Sequence, residues 1–528
     1  MNDSGSAIDI GPVRSCGICL STTVVRKTVV RRVKAPSGVM AVREHISSCP
    51  VHGKLLRPEP ITPRRSSHTF DLIVRIGMLR YMQHKQISEI RDELKNLQLP
   101  ARTVSWLCRL FLKYILAVHL DSAPAIRSLL SSNGGYVLML DGTGQNGPMV
   151  MQMRDGWSGI HLLSCSVRSE NEGEIVPRLL LLKKMFGTPV ACVRDMGSGV
   201  TKSLKMAFPD TYSILCHFHF LRAEGWKLFE PVYPSFRSRI DRMGIKKRLR
   251  HLMRAIERGI YRGRDASLAM KLCRYIFDYK KDAHGLSYPF SLPILDFYTR
   301  CENVRKGLAI RVDVSGRRRG KPLTRLFVLL EMFYASLGAS AHYQAVLLTR
   351  RRRWFNRIRN ALRYRNGPIP LNSKHNLSEM DLERGRIKLD WLISIIDRGS
   401  HSSGEKELRR TLLSVKRDLT ERRDELFAPN ALVTVKGKSV VKSVTRTISS
   451  EESEFRKLRR HDRRIKGNSH VDSEVQEEGA AMLILENLKN KEYVKAVYGS
   501  ISKLPERFAM VSKDSLRMAE ELQHPLEK

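Results

Sequence analysis

The chain has 528 residues, of which 93 are Lys or Arg and 53 are Asp or Glu, leaving a formal charge of +40 at pH 7. A surplus of that size points to a polyanion partner, because cations that neutralise phosphates release condensed counterions. Hydrophobic content of 42% is enough for real cores across three or four domains. Nine cysteines scattered over this length are not a disulfide framework, and neither a signal peptide nor an uninterrupted apolar run of membrane-spanning length is evident, so a soluble intracellular protein is expected.

In chain order, residues 1–12 (MNDSGSAIDIGP) read as a disordered lead. Cys16-x-x-Cys19 follows, then a basic, strand-like stretch, then Cys49-x-x-His52. The x-x spacing lets both ligands of one turn reach the same ion, so two such pairs predict a Zn2+ site in a module spanning 1–60. Ordinary free cysteines are the plain alternative, with His45 a possible substitute ligand. A Pro- and Arg-rich linker (RPEPITPRRSS) leads into a helical region over 61–130. Thr69–Gln83 carries an apolar face, Ile87–Leu97 is a short second helix, and Pro100 opens a third. Short helix, tight turn and longer helix make a helix-turn-helix pattern, in which Arg102, Thr103 and Ser105 could reach base edges or phosphates. A helical hairpin that merely packs on its neighbour is the plain reading.

Residues 131–222 read as α/β. Strand-like YVLML runs into Asp141 and a Gly-rich turn, and IHLLSCSV is a second strand. EIVPRLLLLKKMFG favours a helix, PVACVR delivers Asp195 into another Gly-rich turn, and a helix (TKSLKMAF) and a strand (TYSILCHFHF) close the unit. Ligands of open α/β sheets sit at strand ends. Two aspartates there suit hard divalent cations, and two Mg2+ (or Mn2+) ions about 4 Å apart can drive phosphoryl transfer. Either aspartate alone would pass as a turn residue; the pair in so basic a chain favours the metal site.

Residues 223–444 read as an all-helical, basic insertion, with positive stripes in RSRIDRMGIKKRLRHLMRAIERGIYRGR and around Trp354. Residues 445–528 begin with an N-capped helix whose first turn holds Glu451, Glu452 and Glu454, before a basic run that includes Arg456, Arg459, Arg460 and Arg463. A carboxylate in that turn can join a metal site while the arginines follow a DNA backbone. Complementing the helix dipole explains the same acids equally well.

The order DGT, VRDMGSG, CHFHFLR and a late Glu-bearing helix resembles the DDE/D transposases with an RNase H-like core, most closely the group of Mutator-like elements and related bacterial insertion-sequence enzymes. The resemblance covers roughly 136–222 and 445–500, and more weakly the amino-terminal modules. It implies a mixed sheet with flanking helices, interrupted by a large helical insertion. It assigns Asp141, Asp195 and Glu452 as catalytic Mg2+ ligands, and Cys216 and His219 as a structural Cys-x-x-His motif. Ile448 and Ser449 stand where the group often has Asn-Asn, which leaves Glu379 as a reserve third acid. The activity implied is metal-dependent cleavage and strand transfer on double-stranded DNA, at element ends and target, by a homodimer or higher homo-oligomer in the nucleoid-bearing cytoplasm of a prokaryote, with no membrane partner. A domesticated DNA-binding relative and a nuclease without strand transfer are the rivals.

Overall fold

A computed structural model describes residues 8–143, 149–283, 287–310, 321–364, 375–402, 405–448, 460, 463–464 and 472–524. The chain forms two compact units, Met1–Ser213 with Asn430–Lys528, and Ile214–Pro429. Overall it is a mixed α/β protein, rich in helix.

The first unit opens with a small sheet. Strand β1 (Ile8–Ile10) pairs in parallel with β3 (Gly38–Ser48), and β3 pairs antiparallel with β2 (Val24–Ala35) and the short β4 (Leu55–Leu56). The expected disordered lead is therefore corrected at Ile8–Ile10, which the edge of β3 recruits; residues 1–7 lie outside the described residues. Helix α1 (Phe70–Gly77) is capped by the Thr69 hydroxyl, which accepts from the Leu72 amide at 3.3 Å, and runs on as a π-helical turn over Met78–Met82. Helix α2 (Ile87–Glu93) carries a Gln86/Glu89 capping box. Gln98 in the left-handed region (φ 45°) turns the chain so that Pro100 can precede α3 (Ala101–Asp121). The amino-terminal turns of α3 carry exposed residues, whereas Tyr114–Leu120 are all buried. A short α4 (Ala123–Ser132) leads into the main sheet.

That sheet holds β5 (Val137–Thr143), β6 (Met149–Asp155), β7 (His161–Val167), β8 (Ala191–Arg194) and β9 (Ser213–Leu215), in the order β7-β6-β5-β8-β9. The β5–β6 and β6–β7 pairs are antiparallel and β5–β8 is parallel. Helix α5 (Glu172–Phe186), capped by Asn171, and α6 (Ser198–Ala207) connect the later strands. Two expectations are corrected here. Strand β6 was not foreseen, because its Met-rich MVMQMRD has a weak strand signal. The expected last strand also runs through Cys216–Phe220, but the chain turns helical at His217.

The second unit is helical from His217 onward: α7 (His217–Phe229), α8 (Tyr233–Arg242), α9 (Ile245–Glu257), α10 (Arg264–Phe277), α11 (Pro293–Ala309), α12 (Pro322–Ala361), α13 (Glu379–Ser402), α14 (Lys406–Glu421) and α15 (Arg423–Leu426). Helix α12 is the spine against which α7 to α11 and α13 pack, and it breaks at Gly338 (φ 72°, ψ 167°). Its basic stretch is not simply a solvated face. Arg351 is fully buried, donating to the Leu228 carbonyl at 2.9 Å and to Glu405.

The chain then re-enters the first unit through a hairpin, β10 (Ala431–Val435) and β11 (Lys438–Lys442). This corrects the all-helical reading of 431–442: the period-2 pattern ALVTV/KSVVK flanks Lys436 and Gly437, both at positive φ, which is a two-residue hairpin turn. Helices α16 (Asp472–Leu485), α17 (Lys491–Val497), α18 (Leu504–Met510) and α19 (Lys513–Gln523) complete the core, α16 on β6, β7 and α3 and α19 on α3. A second correction concerns apolar runs. Ala101–Asp121 and Pro322–Ala361 are both long and apolar enough to cross a membrane by composition, yet 67% of the apolar window of the first is buried inside the protein, as in a core helix.

Candidate functional site

Two loops of the amino-terminal sheet repeat one hydrogen-bond pattern. In the first, the Leu20 amide donates to the Cys16 carbonyl (2.8 Å) and the Cys16 amide to the Ser21 carbonyl (2.9 Å). In the second, the Gly53 amide donates to the Cys49 carbonyl (2.9 Å) and the Cys49 amide to the Lys54 carbonyl (3.0 Å). Leu20 (φ 60°) and Gly53 (φ 63°) occupy equivalent left-handed positions, which close each loop so that its two ligands face inward. The ligand atoms of Cys16, Cys19, Cys49 and His52 all lie within 4.8 Å of one another. Cys19 Sγ is 3.5 Å from Cys49 Sγ, and His52 Nδ1 is 3.4 Å from Cys49 Sγ and 3.8 Å from Cys16 Sγ. Bonds of about 2.3 Å to sulfur and about 2.1 Å to nitrogen give a tetrahedron with edges of roughly 3.5–3.8 Å, so the group could hold a metal and is compatible with zinc. The backbone amides of Cys19 and Ile18 pull the Cys16 thiol down to about 6, toward the ligating thiolate. The Cys49 thiol is pushed up: the His52 amide favours its thiolate, but burial and the neighbouring thiols of Cys19 and Cys16 outweigh it. His45 stands apart, its Nε2 on Asp9 and its Nδ1 on Thr28, each at 2.9 Å.

The aspartates are positioned by the parallel β5–β8 pair. Val137, Leu138 and Met139 face Ala191, Cys192 and Val193, and continuing that register by two residues sets Asp195 level with Asp141. Adjacent strands lie about 4.8 Å apart, a spacing suited to bridging by metals about 4 Å apart. Both acids are half-buried. Asp141 Oδ1 accepts from the Gly142 amide (3.0 Å) and Asp195 Oδ1 from the Gly197 amide (2.9 Å), so a nearby glycine orients each carboxylate. The turn expected at Asp141 is corrected, because β5 runs on through Gly142 and Thr143, with Asp141 opposite Gln152 of β6.

A third carboxylate, not foreseen from the sequence, lies against both Gly142 and Gly197. A Cβ on Gly142 would stand 3.1 Å from Glu170 Oε1, and one on Gly197 would stand 3.3 Å from Glu170 Oε2. Strand direction was the available signal. Because β7 is antiparallel to β6, and β6 to β5, the carboxyl end of β7 opens on the same sheet edge as Asp141, and Glu170 follows that end by three residues. The amino terminus of α6 is clamped on the same loop, since a Cβ on Gly199 would stand 1.7 Å from the Glu170 carbonyl oxygen.

Glu452, Arg456 and Arg459 lie outside the described residues. Glu379 is exposed and opens α13 in the helical unit. Arg460 and Arg463 are exposed. On α3, Arg102 is exposed and Thr103 and Ser105 are half-buried, beside Trp106, which is 41% exposed and edge-on to His68. In the helical unit, Cys216 is buried at the start of α7 and His219 lies in its first turn, with Phe218 edge-on to the His219 ring. Between them, unforeseen from sequence, the buried His217 bonds the Leu426 carbonyl at 2.8 Å and His375 at 3.2 Å.

A scan against protein-family models matches none, and a search of curated proteins finds no significant relative.

Proposed function

We propose that this chain is a DNA transposase of the DDE/D type, which binds the ends of a mobile element and carries out strand cleavage and strand transfer. The observation that carries the reading is the parallel β5–β8 register, which extends to set Asp141, within β5, level with Asp195, just past the end of β8, each carboxylate accepting from a glycine amide. A mixed five-stranded sheet with flanking helices supports the RNase H-like reading, and a helical unit that leaves the chain between β9 and β10 supports the insertion.

Asp141, Asp195 and Glu452 would hold two Mg2+ (or Mn2+) ions, which when bound supply Lewis-acid stabilisation of the phosphate charge and an activated oxygen nucleophile. The chemistry is two in-line displacements at phosphorus: water frees a 3′-hydroxyl at the element end, and that hydroxyl then attacks the target strand. The chain's own part is to hold the Asp141 and Asp195 carboxylates half-buried and pre-oriented, so that little reorganisation is needed as charge develops. The Cys3His centre, loaded with Zn2+, and the helix-turn-helix recognise the element ends, and pairing two ends requires a homodimer or higher homo-oligomer on double-stranded DNA.

The experiment is to incubate purified protein and Mg2+ with labelled duplexes taken from the DNA flanking its reading frame. Cleavage and strand-transfer products are expected. Asp141→Asn and Asp195→Asn should keep duplex binding while cutting cleavage by at least about a thousandfold, as expected when a group central to phosphoryl transfer is lost. Binding without cutting would leave a DNA-binding relative, hydrolysis alone would leave a nuclease, and full activity in either variant would remove the two-aspartate site.

A further inference from the structure

The β2–β3 ribbon has two unlike faces, and among the described residues of the first unit the outer one is covered only at its tip. Register places Thr28, Val30, Arg32 and Lys34 of β2 opposite His45, Arg43, Ala41 and Val39 of β3, and because cross-strand partners share a face, these eight residues line one side. The other side holds Val33 and Val42, both fully buried, and its acid, Glu44, is matched by Arg31. On the outer side Thr28, Val30 (59%), Val39 (57%), Arg32 and Arg43 are exposed. Arg32 and Arg43 are diagonal neighbours, since Val30 faces Arg43 and Ala41 faces Arg32. Within the three strands this face carries one carboxylate, Asp9 at its edge, which His45 already engages at 2.9 Å. Three cations against one paired acid, together with two bare valines, suit a polyanion that also offers apolar contacts.

The ribbon is fixed to the helical module. The Lys34 amide donates to the Ser67 carbonyl (2.7 Å), the Thr69 amide to the Lys34 carbonyl (3.0 Å), and Lys34 Nζ to the Leu97 carbonyl (3.1 Å), in the turn that leads to α3. Arg31 adds a bond to Thr62 Oγ1 at 2.8 Å. Ribbon and α3 therefore keep one spacing, and what one reads sets the register of the other.

We propose that the outer face of β2–β3 docks in the major groove of duplex DNA, with Arg32 and Arg43 on base edges and Val30 and Val39 against thymine methyl groups. The inference rests on the reading of the chain as an element-end-binding protein and assigns base recognition to the ribbon as well as to α3. A two-stranded ribbon fits the width of that groove, arginine forks match the O6 and N7 acceptors of guanine, and small apolar side chains match the thymine methyl. Against phosphates alone, arginines would suffice and exposed valines would add nothing.

The test selects binding duplexes from a 30-base-pair random pool with the full-length, zinc-loaded protein (length chosen as about three helical turns), and then compares Arg32→Ala and Arg43→Ala on the enriched sequence. Lys27→Ala, on the same strand but the opposite face, serves as control, and zinc content and thermal midpoint check folding. The wild type should enrich a defined motif. Each arginine variant should lose roughly ten- to a hundredfold affinity for it, relax preference at one base pair, and lose protection of a guanine N7 from methylation, while Lys27→Ala keeps the preference. Arginine variants that keep the wild-type preference, or that weaken all sequences uniformly with a shallower salt dependence as phosphate contacts do, would overturn the ribbon assignment and leave end binding through α3 standing. A wild-type protein that enriches nothing would remove the element-end reading and the ribbon with it.

Discussion

Gly199→Ala sets two effects against each other. Gly199 is the second residue of α6, where alanine is the better helix former by about 1 kcal/mol, so helix propensity alone predicts a more stable protein. The packing says the reverse. The new Cβ would stand 1.7 Å from the Glu170 carbonyl oxygen, and since real Cβ contacts essentially never fall below 3.0 Å, the Glu170 loop or α6 must give way by at least 1.3 Å (3.0 − 1.7). The obstacle is backbone, so no rotamer change relieves it, and overpacking of this kind costs about 1–3 kcal/mol. The same loop carries the Glu170 carboxylate, and α6 follows Asp195 directly, so the shift reaches the carboxylates. Displacements near 1 Å at a reacting centre cost on the order of a hundredfold in rate. Gly173→Ala is the matched control, because it is the second residue of α5 and its Cβ would meet Asn171 Oδ1 at an ordinary 3.4 Å. Urea denaturation should show Gly199→Ala destabilised and Gly173→Ala neutral or slightly stabilised, with cleavage impaired only in the first. A Gly199→Ala protein as stable and as active as wild type would show that α6 and the Glu170 loop do not meet as described.

Metal analysis should find about one zinc per chain, and Cys16→Ser with Cys49→Ser should remove it, lower the thermal midpoint and weaken duplex binding. Leu20→Gly should be neutral or stabilising by up to about 1 kcal/mol, because the side chain is 79% exposed and its backbone sits at φ 60°, where Gly53 does the same work in the sister loop; zinc competition with a chelator measures it. His119, fully buried between the Leu162 carbonyl and the Tyr493 hydroxyl, is pushed down by burial from 6.5 to about 4. The core thus accepts the neutral ring, and stability from this group is complete above about pH 6.5 and is lost as pH falls toward 4. The amount is on the order of 3 kcal/mol, and the fall in thermal midpoint across that window should be shallower in His119→Gln.

What could be read from sequence was local chemistry with a fixed spacing. The x-x pairs at Cys16/Cys19 and Cys49/His52 named four atoms that do come together, because each pair is closed by its own short loop and the β2–β3 hairpin brings the loops side by side. Asp195 was legible as a residue just past a strand end because the apolar run of β8 stops before it, whereas Asp141, where the apolar run also stops, lies within β5, which continues through Gly142 and Thr143. Glu170 was not legible, since its role as a neighbour depends on the direction of β7, which depends in turn on β6, a strand with too little β-branched character to notice. The 431–442 hairpin was hidden by the expectation of one continuous helical region, although its alternation and Lys-Gly turn were on the surface of the sequence. His217 was passed over because it is the middle of CHFH and only tertiary packing distinguishes it from its neighbours.

The first unit is built from two stretches of chain separated by the whole helical unit, and this has a consequence for synthesis. Strands β6 and β7 and helix α3 emerge from the ribosome early, but α16 and α19, which cover them, come last. The Asn487 side chain bonds both backbone groups of His161, across 326 positions of sequence. Until residues beyond 480 are available, an apolar sheet face and the side of α3 must wait uncovered while an independent helical body folds in between. A nascent chain arrested after Pro429 should therefore present a folded helical unit attached to an open, adhesive half-core, and should depend on chaperone holding far more than the finished protein does.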